Sequence, residues 1–509
     1  MKKNIVLSLL TGIMIALALP PFKTGFIAYG ALIPFFLLLE KKSLSEAWRW
    51  GYVTGFCIAV FTLFWIGWVT MAGLFGVLLV WPLYIALFAV LHVFFLRTLS
   101  SMAYLFMPFL WTGIEYLQSL SELAFPWNYI GYTQSYYLPF IQFADITGIY
   151  GVSFWVVGLN VLLFMLWKNV NTNKRLVFGL SLILLFLLPL PYGFIKLNQP
   201  EIGRELKVSL IHGNRDPNEK WNGDVKESNY RIYEEMTKQA LVEQPDVVVW
   251  PETAMPFYLR SESQYLKRIR TLIDSADVSL LTGAIDYEYL EDGSYEHFNS
   301  VFMIEPGYHT IQRYAKMKLV PFSERVPYKN YFPFNVLKDL LWDLGLGDYA
   351  LGRQIATITG RFRATPSVQQ NDSTQVYRTA VAICYESVFP DHVRKYVNKG
   401  ADFLIIITND AWFGKTSGPF QHAQAAAFRA IETRRDIARC ANTGISCFID
   451  RYGRLEQQTP LFKPAAISDS VILNDEQTFY TLHGNLFAVF VSIVSGLTIF
   501  IALVKKLLR

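Results

Sequence analysis

Hydrophobic and polar positions divide the chain into three blocks. Long apolar runs fill residues 1–196, short apolar and polar segments alternate through 197–476, and a further apolar run fills 477–509. A helix needs about 20 mostly apolar residues to cross the hydrocarbon core of a bilayer. The pattern therefore predicts a membrane domain (1–196), a water-soluble domain (197–476) and a C-terminal transmembrane helix (477–509).

Seven candidate spans lie in the first block and one in the last. They are 4–20, 24–39, 51–70, 73–96, 100–118, 146–167, 176–195 and 479–504. The sequence thus predicts a membrane α-helical bundle of about eight spans. A signal peptide is the alternative for residues 1–20, but no small-x-small cleavage site follows them.

Charged residues follow the same division. Residues 1–195 hold 15 of the 87 charged side chains, and none lies between Arg49 and Arg97. Lysine and arginine occupy alternate loops, at 2–3, 41–49, 97, 168–175 and 505–509. Because basic loops stay in the cytoplasm, we expect both termini there. The protein is expected to be a multi-pass protein of the bacterial inner membrane, with residues 197–476 on the periplasmic side.

Composition excludes several classes of protein. Hydrophobic residues make up 52% of the chain and charged residues 17%, which excludes intrinsic disorder. The net charge of +5 is small and dispersed, so no nucleic-acid partner is expected. The four cysteines do not form a disulfide framework, and the seven histidines show no metal-ligand spacing. No metal and no cofactor are predicted.

The middle block contains short, nearly continuous apolar runs that are typical of strands buried on both faces. These runs are 207–211, 246–250, 279–285, 300–304, 377–383, 402–408 and 445–449. Helical segments lie between some of them, for example 226–242 and 419–437. The alternation predicts an α/β or layered α-β-β-α domain.

Ionisable side chains follow three of these apolar runs. Glu252 follows Trp250-Pro251, Cys384 follows the run 377–383, and a lysine, Lys316 or Lys318, follows Tyr314-Ala315. A carboxylate can take the proton of a thiol, and an ammonium can stabilise the resulting thiolate and the oxyanion that forms on attack at a carbonyl. The backbone N–H after the cysteine is a second candidate oxyanion donor.

Each of these residues also has a structural interpretation. Cys384 could be inert core, Glu252 could cap a helix, and spacing alone does not decide between Lys316 and Lys318. The other cysteines, Cys57, Cys440 and Cys447, are interpreted as packing or core residues.

Together these runs resemble the nitrilase superfamily and its Glu-Lys-Cys triad. With the membrane flanks, nearly the whole chain is similar to the membrane-embedded branch of that superfamily, the apolipoprotein N-acyltransferase family, so the resemblance implies a nitrilase-like α-β-β-α sandwich. The matching motifs are Pro251-Glu252-Thr253, Lys316 with Leu319-Val320-Pro321-Phe322 and Glu324, Cys384-Tyr385-Glu386, Asn409-Asp410-Ala411-Trp412-Phe413-Gly414 with Gln421-His422, and Phe125-Pro126-Trp127 with Gly131-Tyr132.

The resemblance implies a role for each matched residue. Glu252 is the general base and acid, Lys316 stabilises the oxyanion and the thiolate, and Cys384 is the nucleophile. The implied supporting or substrate-binding residues are Glu324, Tyr385, Glu386, Trp221, Trp412 and Asn409. The chain departs from the family at His212, where glutamine is frequent, at Gln118, where arginine is frequent, and at Ala124, where glycine is frequent.

The function implied is acyl transfer through a Cys thioester acyl-enzyme. A membrane phospholipid donates the acyl chain, and the N-terminal α-amino group of the diacylglyceryl-cysteine of an apolipoprotein accepts it. A monomer is expected. The alternatives are a membrane-anchored nitrilase-type amidase or hydrolase, which seven preceding spans disfavour, and an inactive transporter or binding protein, which the intact Glu, Lys and Cys disfavour. Glu115 and Asp145 are expected to be interfacial or to line the bundle.

Overall fold

The computed structural model describes residues 1–170, 174–217, 225–332, 335–336, 348–363 and 376–508. The chain forms two compact units. One comprises Met1–Gln199 with Leu482–Arg509, and the other comprises Pro200–Thr481.

The first unit is built from apolar helices. Its α-helices are Lys2–Ala18, Ile33–Leu39, Leu44–Leu63, Ile66–Val69, Met71–Leu99, Met107–Leu117, Leu138–Ile141, Ala144–Thr147, Ile149–Lys168, Lys174–Leu187, Pro189–Leu197 and Leu486–Leu507, and its 3-10 helices are Gly25–Tyr29, Ser100–Phe106 and Ile130–Gln134. Among the described residues, four helical stretches are long and apolar enough to cross a membrane, namely Met71–Leu117, Ile149–Lys168, Lys174–Leu197 and Leu486–Leu507. The predicted helical membrane region is confirmed, and its count of eight spans stays a prediction.

The helix at the third predicted span begins earlier than residue 51. Ser43 caps the helix Leu44–Leu63: its hydroxyl accepts from the backbone N–H of Glu46, and the Glu46 carboxylate accepts from the N–H of Ser43. This capping box satisfies two N–H groups of the first turn, so the helix starts in polar sequence that an apolar window does not detect.

Two glycines allow this helix to pack closely on the next one. A Cβ added at Gly51 would lie 2.6 Å from Cβ of Ala89, and one at Gly55 would lie 2.8 Å from Cα of Pro82. Small residues four positions apart let two membrane helices approach at backbone distance. The contact between Leu44–Leu63 and Met71–Leu99 therefore depends on the absence of side chains at both positions.

The second unit contains two β-sheets. Its strands are β1 (Glu205–His212), β2 (Val247–Val249), β3 (Met255–Tyr258), β4 (Ser279–Tyr289), β5 (Tyr295–Ile304), β6 (Gln312–Ala315), β7 (Ile358–Arg361), β8 (Val376–Ile383), β9 (Phe403–Thr408), β10 (Ile437–Ala441), β11 (Cys447–Ile449), β12 (Leu455–Glu456) and β13 (Ala465–Ile472). The first sheet has the order β13-β1-β2-β4-β5-β6, with β3 beside β4, and the second has the order β12-β11-β10-β9-β8-β7. Parallel pairs form the centre of each sheet: β1-β2-β4 in the first and β8-β9-β10 in the second.

Helices cover the outer faces of both sheets. Lys226–Ala240 and Ser263–Ala276 pack on the first sheet, and Pro390–Asn398 and Gly418–Thr433 pack on the second. Side chains of both sheets form the core between them, among them Val208, Leu210, Val249, Leu281, Val301, Met303, Val381, Ile383, Ile405 and Ile407. These layers confirm the predicted α-β-β-α sandwich. Shorter helices in this unit are Leu241–Glu243, Cys384–Val388 and Asp410–Phe413, and Phe479–His483 follows the sheets in the chain.

One predicted helix end was wrong. The helix predicted to run to residue 437 ends at Thr433, because Arg434 adopts a left-handed conformation with φ 49°. The chain reverses there and enters β10, whose Cys440 is fully buried. The Cys440 thiol lies 3.5 Å from the carbonyl oxygen of Ile211 and 3.3 Å from that of Val249, so it is a core residue as expected.

Candidate active site

Glu252 lies just beyond the carboxyl end of β2. Its side chain is buried, with 5% of the residue exposed. The turn that carries it packs against Gly283 of β4, where an added Cβ would lie 2.8 Å from Cα of Glu252. A glycine is therefore required at this point of β4, since any side chain would displace the carboxylate.

Lys316 follows β6, and its ammonium lies between two carboxylates. Its Nζ donates to Oε1 of Glu252 at 3.2 Å and to Oε1 of Glu324 at 2.8 Å, and only 1% of the residue is exposed. Burial acts to lower the pKa of Lys316, but the two carboxylates override it and raise that pKa well above its ordinary value. The ammonium is therefore a fixed positive charge in this cluster.

Asn299 of β5 joins the same cluster. Its side-chain N–H group donates to Oε1 of Glu252 at 2.8 Å and to Oε1 of Glu324 at 3.2 Å, while its backbone carbonyl accepts from the N–H of Lys316 at 2.8 Å. Sequence reasoning missed this residue. The available signal was a single amide side chain immediately before the apolar run 300–304.

Cys384 directly follows β8, in a left-handed backbone conformation with φ 51°. The residue as a whole is partly exposed. Burial raises the pKa of the Cys384 thiol well above its ordinary value, the carboxylate of Glu252 raises it further, and the ammonium of Lys316 lowers it. The thiol thus lies within the electrostatic reach of both groups, and it needs a base to become a thiolate.

Glu386 connects the lysine segment to the cysteine turn. Its Oε1 accepts from the hydroxyl of Tyr314 and the backbone N–H of Met317, both at 2.6 Å, and its Oε2 accepts from the N–H of Ile383 at 2.8 Å. Burial alone would raise the pKa of Glu386, but His392, the Tyr314 hydroxyl and the backbone donor hold it below its ordinary value. An ionised Glu386 therefore fixes the first sheet to the second beside Cys384.

The two candidate lysines occupy different surroundings. Lys316 is enclosed by carboxylates, whereas Nζ of Lys318 lies 5.2 Å from the centre of the Phe389 ring. Burial lowers the pKa of Lys318. Lys316 is therefore the lysine that shares a cluster with Glu252.

The remaining predicted residues are distributed around this centre. The Tyr385 ring is buried and packs edge-on against Phe389, with ring centroids 5.0 Å apart. Asn409 is buried and accepts from the Asn442 amide at 2.9 Å, and Trp412 is half-buried in the turn Asp410–Phe413. Trp221 lies outside the described residues.

A second polar cluster lies beside the cysteine turn. Donor or acceptor atoms of Cys384, Asp410 and His422 lie within 4.8 Å of one another, a spacing at which they could hold a metal ion. Hydrogen bonds already engage both ring nitrogens of His422 and both carboxylate oxygens of Asp410. These bonds connect the cluster to Ser387 and Arg439. The sequence motif contained Asp410 and His422, but gave neither a role.

Glu115 and Asp145, the two acidic residues expected at the interface or inside the bundle, both lie in the helical unit. Glu115 is buried and accepts from the indole N–H of Trp111 at 2.9 Å and from the N–H of Ile130 at 2.8 Å. Asp145 accepts from the hydroxyl of Tyr192 at 2.8 Å. Glu115 lines a cavity in this unit together with Gln118, so it lies inside the bundle.

Known proteins resemble the chain over nearly its full length. A family model described as the apolipoprotein N-acyltransferase N-terminal domain matches residues 11–162, and a carbon-nitrogen hydrolase model matches residues 217–475. An apolipoprotein N-acyltransferase from Geobacter metallireducens is 34% identical over 506 residues, covering 96% of this chain and 93% of the relative. One from Chlorobaculum tepidum is 32% identical over 534 residues, covering 99% and 98%. The crystal structure of Saccharomyces cerevisiae Nit3, a member of branch 10 of the nitrilase superfamily, aligns with 54% of this chain and 92% of its own, at 16% identity and a TM-score of 0.39.

Proposed function

Because this chain belongs to the apolipoprotein N-acyltransferase family, we propose that it performs the last step of lipoprotein maturation. It moves an acyl chain from a phospholipid to the N-terminal α-amino group of a diacylglyceryl-cysteine. The observation that best supports this chemistry is the buried Glu252–Lys316–Glu324 cluster within electrostatic reach of Cys384. In this proposal Glu252, Lys316 and Cys384 form the catalytic triad.

The first half-reaction makes a thioester. Glu252 takes the proton of the Cys384 thiol, and the thiolate attacks an ester carbonyl of the phospholipid. The Lys316 ammonium and the backbone N–H of Tyr385 stabilise the oxyanion of the tetrahedral intermediate. The carbon–oxygen bond then breaks, and the lysophospholipid leaves with the proton that Glu252 returns.

The second half-reaction releases the acyl chain to the acceptor. The α-amine attacks the thioester carbonyl, the carbon–nitrogen bond forms, and the carbon–sulfur bond breaks. Glu252 takes a proton from the nitrogen and returns one to the departing thiolate. A thioester suits this step, since an amine attacks it far more readily than it attacks an oxygen ester.

A membrane location suits this chemistry. Both substrates carry lipid chains, and the described helices include four that are long and apolar enough to cross a membrane. The alternating basic loops support an inner-membrane location with the catalytic domain, residues 197–476, on the periplasmic side. Residues 1–196 form the membrane domain and 477–509 the C-terminal transmembrane helix in this assignment.

Six further residues support the site or bind substrate in this proposal. They are Trp221, Trp412, Asn409, Tyr385, Glu324 and Glu386.

Pulse-labelling tests the function against the hydrolase alternative. The full-length enzyme is incubated with a phospholipid that carries a fluorescent acyl chain, and either diacylated lipopeptide or buffer is then added. Acyl transfer predicts a labelled enzyme whose label moves to the peptide. Label that leaves only as free fatty acid, in both arms, would establish hydrolysis and refute the proposal.

Two cysteine variants identify the nucleophile in the same assay. Cys384→Ser should abolish labelling of the enzyme while it stays folded in the membrane. Cys57→Ser is the matched control, since Cys57 is a half-buried thiol in a membrane helix. Near-full activity of Cys384→Ser would exclude Cys384 as the nucleophile.

A further inference from the structure

The peptide bond between Cys384 and Tyr385 is held at its carbonyl end by two side chains. The Ser387 hydroxyl donates to the Cys384 carbonyl oxygen at 2.7 Å, and Nε2 of His422 lies 3.2 Å from the same oxygen. A trans peptide unit is rigid and planar, with C=O and N–H on opposite sides. Any contact that orients the Cys384 carbonyl therefore also orients the Tyr385 N–H, in the opposite direction.

His422 is itself fixed on both sides of its ring. Its Nδ1 lies 2.9 Å from Oδ1 of Asp410, and its Nε2 lies 2.9 Å from Oγ of Ser387. No part of His422 or Asp410 is exposed. The ring cannot rotate without breaking both contacts.

Asp410 is anchored as an ionised carboxylate. Thr408 donates to its Oδ1 at 2.6 Å, and Arg439 donates to its Oδ2 at 2.9 Å. Burial alone would raise the pKa of Asp410, but His422 and Arg439 lower it far below its ordinary value. The anion holds His422 through Nδ1, so that Nε2 faces the cysteine turn.

Four short contacts join these groups. His422 lies between Asp410 on one side and the Ser387 hydroxyl and the Cys384 carbonyl oxygen on the other. The Ser387 hydroxyl donates to the same carbonyl oxygen. Two side chains therefore contact the carbonyl end of the peptide.

This constraint acts on a strained position. Cys384 has φ 51°, a left-handed conformation that costs a non-glycine residue about 1–3 kcal/mol and persists only where the surroundings enforce it. We propose that Ser387 and His422, the latter oriented by Asp410, are positioning residues that aim the Tyr385 N–H at the oxyanion. The inference rests on the proposed acyl transfer and assigns it three further residues.

Two substitutions of His422 separate its two ring nitrogens. The side-chain nitrogen of glutamine reaches the position of Nε2, so His422→Gln retains a donor to the Cys384 carbonyl. The side-chain nitrogen of asparagine reaches only the position of Nδ1, so His422→Asn retains the contact with Asp410 and loses the carbonyl. We expect the acylation rate of His422→Asn to fall about 10–100-fold, a smaller effect than the complete removal of an oxyanion donor. The acylation rate of His422→Gln should stay within about threefold of wild type.

Alkylation by iodoacetamide provides the second measurement. The thiolate displaces iodide at a CH₂ carbon, so a carbon–sulfur bond forms and a carbon–iodine bond breaks without any oxyanion. A misdirected Tyr385 N–H should therefore slow acylation by the fluorescent phospholipid and leave the alkylation rate unchanged. A general loss of structure at the cysteine turn would slow both reactions.

The experiment uses full-length enzyme, and single-turnover acylation and alkylation are measured on each variant. Ser387→Ala gives a second variant, which keeps the His422 side chain and its contact with Asp410, and we expect acylation to fall about 3–10-fold with normal alkylation. Any of three results would overturn the inference. Acylation and alkylation could fall in parallel, His422→Asn and His422→Gln could acylate at equal rates, or Ser387→Ala could keep the full acylation rate. Label transfer by the wild-type enzyme tests the proposed function separately, because it does not depend on these variants.

Discussion

Lys316 offers the sharpest test of the proposed catalytic cluster. Its ammonium donates to Glu252 at 3.2 Å and to Glu324 at 2.8 Å. Replacing it by methionine keeps most of the side-chain volume and removes the charge. Loss of one oxyanion partner costs a factor of about 10²–10³ in rate, or about 2.7–4 kcal/mol. We therefore expect Lys316→Met to slow formation of the acyl-enzyme by about 10²–10³.

The same substitution leaves two carboxylates without their counter-ion. Glu252 and Glu324 would then share only the Asn299 amide. Removing one partner from a buried ion pair destabilises a protein by about 3–5 kcal/mol. We therefore expect Lys316→Met to lose up to about 3–5 kcal/mol of stability.

Lys318→Met is the matched control, since the Lys318 ammonium lies against the Phe389 ring. Its acylation rate should stay within about threefold of wild type, because no oxyanion donor is lost. Both rates come from single-turnover labelling with the fluorescent phospholipid, and thermal unfolding of each variant is followed in the same detergent. If Lys318→Met loses more activity than Lys316→Met, the assignment of the catalytic lysine is wrong.

Further predictions concern stability and the cluster's geometry. The pKa of Glu386 is lowered in the folded protein. Its contribution to the free energy of unfolding is therefore complete above the ordinary glutamate pKa of about 4.3, and it is lost as the pH falls through the lower folded pKa. Glu386→Gln should be less stable than wild type at pH 7 and should lose less stability than wild type on acidification below that pKa, as thermal melts at a series of pH values would show. Gly51→Ala should destabilise the helical unit by about 1–3 kcal/mol through overpacking against Ala89, whereas Gly496→Ala, which meets no atom within 4 Å, should be neutral in the same unfolding assay. Asn299→Asp places a third carboxylate in the cluster and should lower the acylation rate by at least about tenfold; unchanged kinetics would contradict the role given to this amide.

The sequence predicted the central strands because these are buried on both faces. The runs that became β1, β2, β4, β5, β8 and β9 are nearly continuous apolar segments. Buried and exposed residues alternate along short edge strands such as β7. These strands have too few apolar positions to be recognised in the sequence. Their pairing is fixed by the neighbouring strand and not by local sequence.

At the site, too, some residues could be predicted from local sequence and others could not. Glu252 and Cys384 follow apolar strands, so their position at a sheet edge could be predicted from the chain. Asn299 could not, because its role comes from two carboxylates that are 47 and 25 residues away. Spacing alone left Lys316 and Lys318 open, and the family motif implied Lys316. The contact that joins its ammonium to Glu252, 64 residues away, could not be read from spacing.

The candidate triad depends on the packing of one sheet against the other. Glu252 and Lys316 follow strands of the first sheet, and Cys384 follows a strand of the second. The Glu386 carboxylate accepts hydrogen bonds from Tyr314 and Met317, in and just after β6 of the first sheet, and from Ile383 in β8 of the second. Neither sheet alone brings the base, the ammonium and the thiol together, so the core between the sheets is a condition for the chemistry. A change that shifts the two sheets relative to each other should therefore lower the acylation rate before it unfolds either sheet.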